Sequence, residues 1–237
     1  MSKTYVIYGV SKGLGHAILK SIPQPEDIVF GISRSQPQSH LKYFHWISAD
    51  LSQPEFSRDL IQQQIQNQPV DYLIYNVGIW ENKAFEADYE FEDCSDLEIS
   101  NLIQINIQSC ILAIQSLIKN LKLSQNAKII LIGSTWGLDN HNGKEVVFSA
   151  TKFALRGIVH SLRETLRKHH IGISLLNLGY LASDYAIDTD IHEVLLATNQ
   201  QLIPLQDVIL AIKFILATSK ATCIKEIDMP AMADLNT

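Results

Sequence analysis

Seven short apolar runs limit what this chain can fold into. "TYVIYG", "DIVFGIS", "YFHWIS", "DYLIYNVG", "AKIILIGS", "IGISLLNLG" and "CIKEIDM" are rich in Val, Ile, Tyr and Phe. Near-continuous hydrophobicity of this kind marks parallel strands covered on both faces. Between most of the runs the pattern predicts helices over residues 13 to 21, 55 to 67, about 95 to 123, 148 to 169 and 205 to 218. "SQPEF" ahead of the second supplies a cap and a first turn. Strand alternating with helix predicts an α/β fold with a doubly wound, seven-stranded, mostly parallel sheet flanked by helices on both faces. No repeat or Pro/Gly-rich linker divides the 237 residues, so one domain over 1–237 is expected. The least regular stretch, residues 180 to 204, reads as a loop with one short helix and as a candidate lid.

Composition narrows the partners. Hydrophobic residues make up 46% of the chain, enough for a sizeable core. A net charge of -6 without a Lys/Arg run argues against nucleic acid. Three scattered cysteines, Cys94, Cys110 and Cys223, suit neither a disulfide framework nor a zinc site and read as buried thiols in a reducing compartment. "MSKTYVIYGVSKG" enters a strand at once, leaving no room for a signal peptide, and no apolar run reaches the roughly 18 residues of a membrane span. The expectation is a soluble, cytoplasmic protein with no membrane partner.

The first strand runs into "YGVSKGLGHAI", a G-x-x-x-G-x-G turn of Gly9, Gly13 and Gly15 with Ser11, Lys12 and Leu14 between them. Glycines let the backbone turn tightly and approach a pyrophosphate, which the N–H groups at a helix start then meet. A Gly-rich turn without ligand is the plain alternative. The second strand ends "GISRS". Ser33 stands where an acid would bind the ribose 2′-hydroxyl of NAD, and Arg34 follows with a guanidinium suited to a 2′-phosphate. Lys12 adds a second positive charge. NADP(H) is therefore the expected cofactor, against the alternative that both cations are simply solvated. Asp50 and Leu51, after the third strand, are placed to touch the adenine, and Asp50 reads equally as a turn cap.

Together with the residues that follow, these resemble the short-chain dehydrogenase/reductase family over essentially the whole chain. The fold that the resemblance implies is Rossmann-like. Y75-N76-V77-G78 is similar to the family's N-N-A-G, so Asn76, Val77 and Gly78 are expected at the cofactor. Asn106 in "QINIQS" matches the helical Asn that anchors a water and the lysine. Ser134 in "IGSTWG" matches the serine that holds a substrate carbonyl. Gly179 in "NLGYLAS" corresponds to the P-G turn beside the nicotinamide, with Leu178 in place of proline, and Ser183 lies near the usual threonine. The resemblance further implies dimers or tetramers, with the helices of 95–123 and 148–169 pairing across a two-fold axis.

One departure matters most. The family's Y-x-x-x-K falls on F-S-A-T-K, so Phe148 occupies the tyrosine position and Lys152 the lysine position, and no tyrosine lies between Tyr89 and Tyr180 to replace it. The loop "GLDNHNGKEVV" is one residue longer than the family's commonest spacing. In the family's mechanism the tyrosine is the general acid, and the lysine lowers its pKa and binds the nicotinamide ribose. A phenyl ring carries no proton, and general acid–base catalysis is worth about 10²–10⁴-fold. Ser134, Lys152 acting through a water held with Asn106, and His141 in the altered loop are the candidate substitutes. Trp80, Trp136, Tyr180 and Tyr185 are expected to wall an apolar or aromatic pocket for a small-molecule substrate.

Three readings follow. The first is an NADP(H)-dependent oxidoreductase acting on a carbonyl-type or other unsaturated small molecule, with a modified proton step at Ser134, Lys152 and Asn106. The second is a cofactor-binding protein without turnover, acting as redox sensor or regulatory subunit. The third, a purely structural partner, is disfavoured by the intact glycine turn and Arg34.

Overall fold

The computed structural model describes residues 2–139 and 141–234, so Met1, Asn140 and residues 235–237 lie outside the description. In chain order the elements are β1 (Thr4–Tyr8), α1 (Gly13–Ser21), β2 (Ile28–Ser33), β3 (Tyr43–Ser48), α2 (Pro54–Ile65) and β4 (Tyr72–Tyr75). Then come α3 (Asp96–Ile103), a π turn (Gln104–Gln108), α4 (Ser109–Leu121), β5 (Lys128–Ile132) and α5 (Val146–Leu166). The last are β6 (Gly172–Leu178), α6 (Ile191–Ala197), α7 (Leu205–Ala217) and β7 (Glu226–Met229).

The strands form one seven-stranded sheet in the order β3-β2-β1-β4-β5-β6-β7, every pair parallel. Successive side chains of a strand point to opposite faces, and β1 divides accordingly. Val6 and Tyr8 join the core under α4 and α5, with Leu117 and Val159, whereas Tyr5 and Ile7 join the core under α1 and α7, with Ile18 and Ile212. Both faces are covered, which is why the runs read as continuous rather than alternating. At the edge the rule lapses: β3 alternates between exposed and partly buried positions, and only Ile47 is fully buried. The chain turns outward in opposite directions from β1 and β4, so their carboxyl ends leave a crevice between them, the usual ligand position in such sheets.

The long helix expected over 95–123 is broken in its middle. At the π turn the Tyr75 hydroxyl donates to the Ile105 carbonyl at 3.0 Å, and the side chain of Asn106 is buried. Such bulges occur where a helix gives up regular bonding to place a group. The span Asp96–Leu121 has 26 residues and an apolar window of mean hydropathy 1.3, long and apolar enough by composition to cross a membrane. This corrects the expectation drawn from run length, which missed it because polar residues interrupt the stretch. Its apolar face, with Cys110, Ala113, Ile114, Leu117 and Leu121, is taken up by the sheet.

Cysteine burial also needs correction. Cys110 is buried, Cys94 half-buried and Cys223 exposed. Residues 180 to 204 contain the one short helix expected, α6, and a parallel bridge between Leu181 and Ile203 fastens the two ends of the stretch.

Asn120 near the end of α4 is 4% exposed, and its amide donates to the carbonyls of Gln66 and Gln68, both at 2.8 Å. Asn120→Leu keeps the branched shape and the number of heavy atoms but leaves two carbonyls without their donor. We expect it to cost about 1–3 kcal/mol in urea denaturation.

Candidate active site

The glycine turn is as tight as its spacing suggests. Gly9 has φ +82°, and a Cβ there would stand 2.2 Å from the Asn76 carbonyl oxygen; one on Gly15 would stand 1.9 Å from the Gly9 carbonyl oxygen. Backbone packs on backbone at both points, so no side chain fits. Gly13, at φ +53°, opens α1. The residue before it, Lys12, makes no side-chain cap, and the first turn holds no acid. An uncapped helix start with a cation beside it is a ready anion site, so the residues present fit a dinucleotide pyrophosphate.

The remaining cofactor candidates divide. Leu14, Asn76, Val77, Gly78, Gly179 and Ser183 line one cavity of about 540 Å³ together with Ser134, Phe148 and Lys152. Ser11, Lys12 and Gly13 line a neighbouring cleft of about 320 Å³ that shares Ser183. Arg34 and Lys12 are exposed, and among the described residues neither forms an ion pair. Ser33 is buried and its hydroxyl is engaged, donating to the Ser35 carbonyl (2.7 Å) and accepting from the Trp46 indole (3.2 Å). Asp50 is an exposed turn cap, its carboxylate accepting from the Ser52 amide at 3.0 Å. Leu51 packs against the core, and its carbonyl accepts from Ser109.

At the far end of the larger cavity, α5 carries the altered motif. Its start is fixed by Glu81, 3% exposed, one carboxylate oxygen of which accepts from the amides of Val147 (2.8 Å) and Phe148 (3.1 Å). A carboxylate at a helix N-terminus satisfies orphan donors and opposes the helix dipole. One turn on, Thr151 donates to the Phe148 carbonyl (2.7 Å) and accepts from the Asn106 amide (3.1 Å). Asn106 spends the rest of its amide on the Ile79 backbone, with bonds of 2.9 Å to N and O. Its side chain thus ties the π turn to α5 and to the loop after β4, and does not reach Lys152.

Lys152 is 5% exposed, and its ammonium donates to the Ile132 carbonyl at 3.2 Å. The ammonium lies 5.2 Å from the Phe148 ring centroid, and among the described residues no carboxylate pairs with it. Burial pushes its pKa down from 10.5 to about 8, with the Cys110 thiol acting weakly the other way. Ser134, also buried, accepts from the Trp136 amide at 3.2 Å. Its own proton has no acceptor among the described residues, which leaves it able to donate to a ligand. His141 is directed elsewhere. Its Nδ1 accepts from the Gly143 amide (3.1 Å), so the neutral ring carries its proton on Nε2, which faces the Ser149 hydroxyl at 2.9 Å. Ser149 in turn donates to the Trp136 carbonyl. This histidine latches the loop and lines neither cavity.

The wall is aromatic. Trp80 lies flat on Phe148, ring centroids 3.4 Å apart and planes 16° off parallel. Trp136 and Tyr180 complete it, and Phe85 closes the mouth, 4.6 Å from Trp80 and 5.6 Å from Tyr180. Burial pushes the Tyr180 hydroxyl up to about 12. Tyr185, expected in this wall, instead lines the cleft beside Lys12. Phe85 was not foreseen. It adopts φ +72°, a conformation rarely open to a bulky side chain, and its amide is held by Glu145 at 3.0 Å. No local pattern announces such a residue, nor Glu81 or Thr151, whose roles arise from contacts distant in sequence.

Comparison with known proteins agrees with this geometry. The family profile described as short chain dehydrogenase matches residues 3–193. Carbonyl reductase family member 4 of Xenopus tropicalis is 28% identical over 197 residues, 79% of each chain. Among solved structures, a short chain dehydrogenase from Leptospira borgpetersenii with bound NAD+ superposes with a TM-score of 0.78 at 19% identity, covering 98% of this chain and 92% of that one. A blue fluorescent protein from a metagenomic library in complex with NADPH gives 0.77 at 20% identity, covering 98% of each. The chain belongs to the short chain dehydrogenase family.

A buried ammonium without a carboxylate is a liability to the fold. A pKa lowered from 10.5 to about 8 corresponds to roughly 3 kcal/mol against the charged form. Below about pH 8 folded and unfolded chains both hold the proton, and the cost is complete. Between about 8 and 10.5 the folded chain has released it and the unfolded chain has not, so stability rises with pH. Lys152→Met should therefore be more stable than wild type at neutral pH, by an advantage that shrinks toward pH 10, as read by urea denaturation.

Proposed function

We propose that this short chain dehydrogenase is an NADP(H)-dependent oxidoreductase that reduces a carbonyl-type or other unsaturated small molecule, and that Lys152 supplies the proton a phenol would otherwise give. The observation that carries this reading is the Lys152 ammonium itself. It is buried in the cavity wall beside the Phe148 ring, bound to one main-chain carbonyl, with burial holding its pKa at about 8. A general acid works best with a pKa near the operating pH, and an ammonium in this position meets that condition without a tyrosine.

The dinucleotide, when bound, supplies or accepts the hydride. Gly9, Gly13 and Gly15 give it a close backbone surface, Asn76, Val77 and Gly78 the far wall, and Gly179 and Ser183 the nicotinamide-side turn. Lys12 and Arg34 are the unpaired cations available to a 2′-phosphate, and Ser33 puts no negative charge against it. Two of the similar solved structures hold NAD+ and NADPH, which supports dinucleotide use and leaves the choice between them to these cations. Ser134 then donates to the substrate oxygen and orients it, and the aromatic wall excludes water and favours a flat, apolar substrate. Exposed Ile103, Ile111 and Phe153 on α3, α4 and α5 support self-association as a homodimer or homotetramer.

One observation favours the second reading, cofactor binding without turnover: Trp80 covers a face of the Phe148 ring at the point where the reacting group would sit. The two readings separate in a single assay series. With an aromatic aldehyde and NADPH, wild-type turnover should hold on the acid side and fall as pH rises through about 8, where the ammonium loses its proton. Lys152→Met should lose that dependence along with about 10²-fold or more of the rate. Carbonyl reduction that appears only in Phe148→Tyr would support the binding protein. Fluorescence titration should show about tenfold weaker NADPH binding for Arg34→Ala, with NADH unaffected. Equal losses for both cofactors would remove the case for NADP.

A further inference from the structure

At the opposite end of the sheet, where β5 and β6 begin and the chain enters β7, lies a cavity of about 260 Å³ that shares no residue with the dinucleotide pocket. Lys128, Arg163, Arg167, Lys220 and Lys225 line it, and among the described residues no Asp or Glu does. In a chain of net charge -6 this is a local reversal of sign. The two arginines have ordinary explanations. They sit at the last turn of α5 and just beyond it, where cations oppose the helix dipole. Arg167 pairs with Glu164, and Arg163 with Glu226, while two guanidinium nitrogens of Arg163 are used on the Ile173 and Lys225 carbonyls.

Lys128 has no such explanation. It opens β5, an inner strand of the sheet, is 2% exposed, and among the described residues donates only to the Thr218 hydroxyl, at 2.8 Å. Burial pushes its pKa down. Among the described residues no carboxylate lies within ion-pair distance of Lys128 or of the exposed Lys220 and Lys225, although Glu164, bonded to Arg167, feels the Lys225 charge. A buried charge without a counter-ion is costly, and the penalty falls when an anion supplies one. Three unpaired ammonium groups around a small cavity match a compact group of two or more negative charges. Lysine meets phosphate as a point charge, and the two arginine forks, which would bind phosphate or carboxylate in bidentate fashion, are already engaged here.

We propose that this cavity binds a small phosphorylated anion, with Lys128 as its buried floor and Lys220 and Lys225 as its rim. The cations converge on a concavity instead of spreading along a face, which favours a small ligand over a nucleic acid.

The test uses the full chain and its amide NMR spectrum, with Gly172, Thr222 and Cys223 reporting on this cavity and Leu14 reporting separately on the glycine turn. Inorganic phosphate, pyrophosphate and glycerol phosphate are titrated at constant ionic strength against chloride. The expected result is saturable shifts at Gly172, Thr222 and Cys223 that chloride does not produce, and the tightest of the three anions indicates whether a free or an esterified phosphate is the better fit. Lys220→Ala/Lys225→Ala, both exposed positions, should weaken that binding about tenfold or more while leaving the fold intact. Lys128→Met should abolish it and raise thermal stability in anion-free buffer. Shifts that chloride reproduces, shifts confined to Leu14, or saturation unchanged in the double variant would each overturn the proposal.

Discussion

Two main-chain amides sharing one oxygen of Glu81 decide where α5 begins, and the rest of the site is measured from that point. Once the helix starts at Val146, the Phe148 ring, the Thr151 hydroxyl and the Lys152 ammonium have fixed heights above the sheet. Thr151 bonds Asn106, which can reach it because the π turn breaks α3 from α4. Asn106 in turn holds the Ile79 backbone, on the loop that carries Trp80 and Glu81. The bonds form a closed circuit of three chain segments, in which the side chains of Glu81, Asn106 and Thr151 are buried. The amide of Asn106 and the hydroxyl of Thr151 are fully bonded, and such a network specifies one arrangement because a half-bonded alternative is expensive. The second oxygen of Glu81, buried without a partner among the described residues, is a cost set against it.

Within that frame the chemistry turns on a single uncompensated charge. A lysine beside a tyrosine would share its field with a phenol. Here it faces a phenyl ring on which Trp80 is stacked, so desolvation acts on the ammonium alone. The result costs the fold stability and gives the pocket a group able to release a proton near neutral pH. Strained backbone at Phe85, held by Glu145, adds a second local cost at the mouth of the same cavity. Two such costs meeting at one cavity mark it as a place where function is to be sought.

Much of this could be read from the sequence. The seven runs and the periodic stretches between them located the parallel sheet and its helices, because strands covered on both faces leave a continuous apolar signature. The glycine spacing located the turn, since only residues without a Cβ can place Gly9 and Gly15 so near other backbone. What could not be read came from packing between distant segments. Glu81 lies 66 positions before the first amide it holds. Phe85 took its place in the wall through an unusual φ that no propensity favours, while Tyr185, assigned to the wall from composition, turned toward the cleft beside Lys12. His141, a candidate proton donor by its place in the altered loop and equally readable as an ordinary loop histidine, has both ring nitrogens engaged, by Gly143 and Ser149. The edge strand β3 and the exposed Cys223 depart from expectation because sequence hydrophobicity does not say which elements end up at a border.

The central claim is that Lys152 is a buried acid tuned by desolvation. Its most direct test is the titration of its own side chain, followed by NMR in protein labelled with ¹³C-lysine, with Lys152→Met assigning the resonance. A midpoint near 8, well apart from those of the surface lysines, is the result this account predicts. A midpoint at or above the ordinary lysine value of about 10.4 would contradict it, for an ammonium held that firmly could not release its proton near neutral pH.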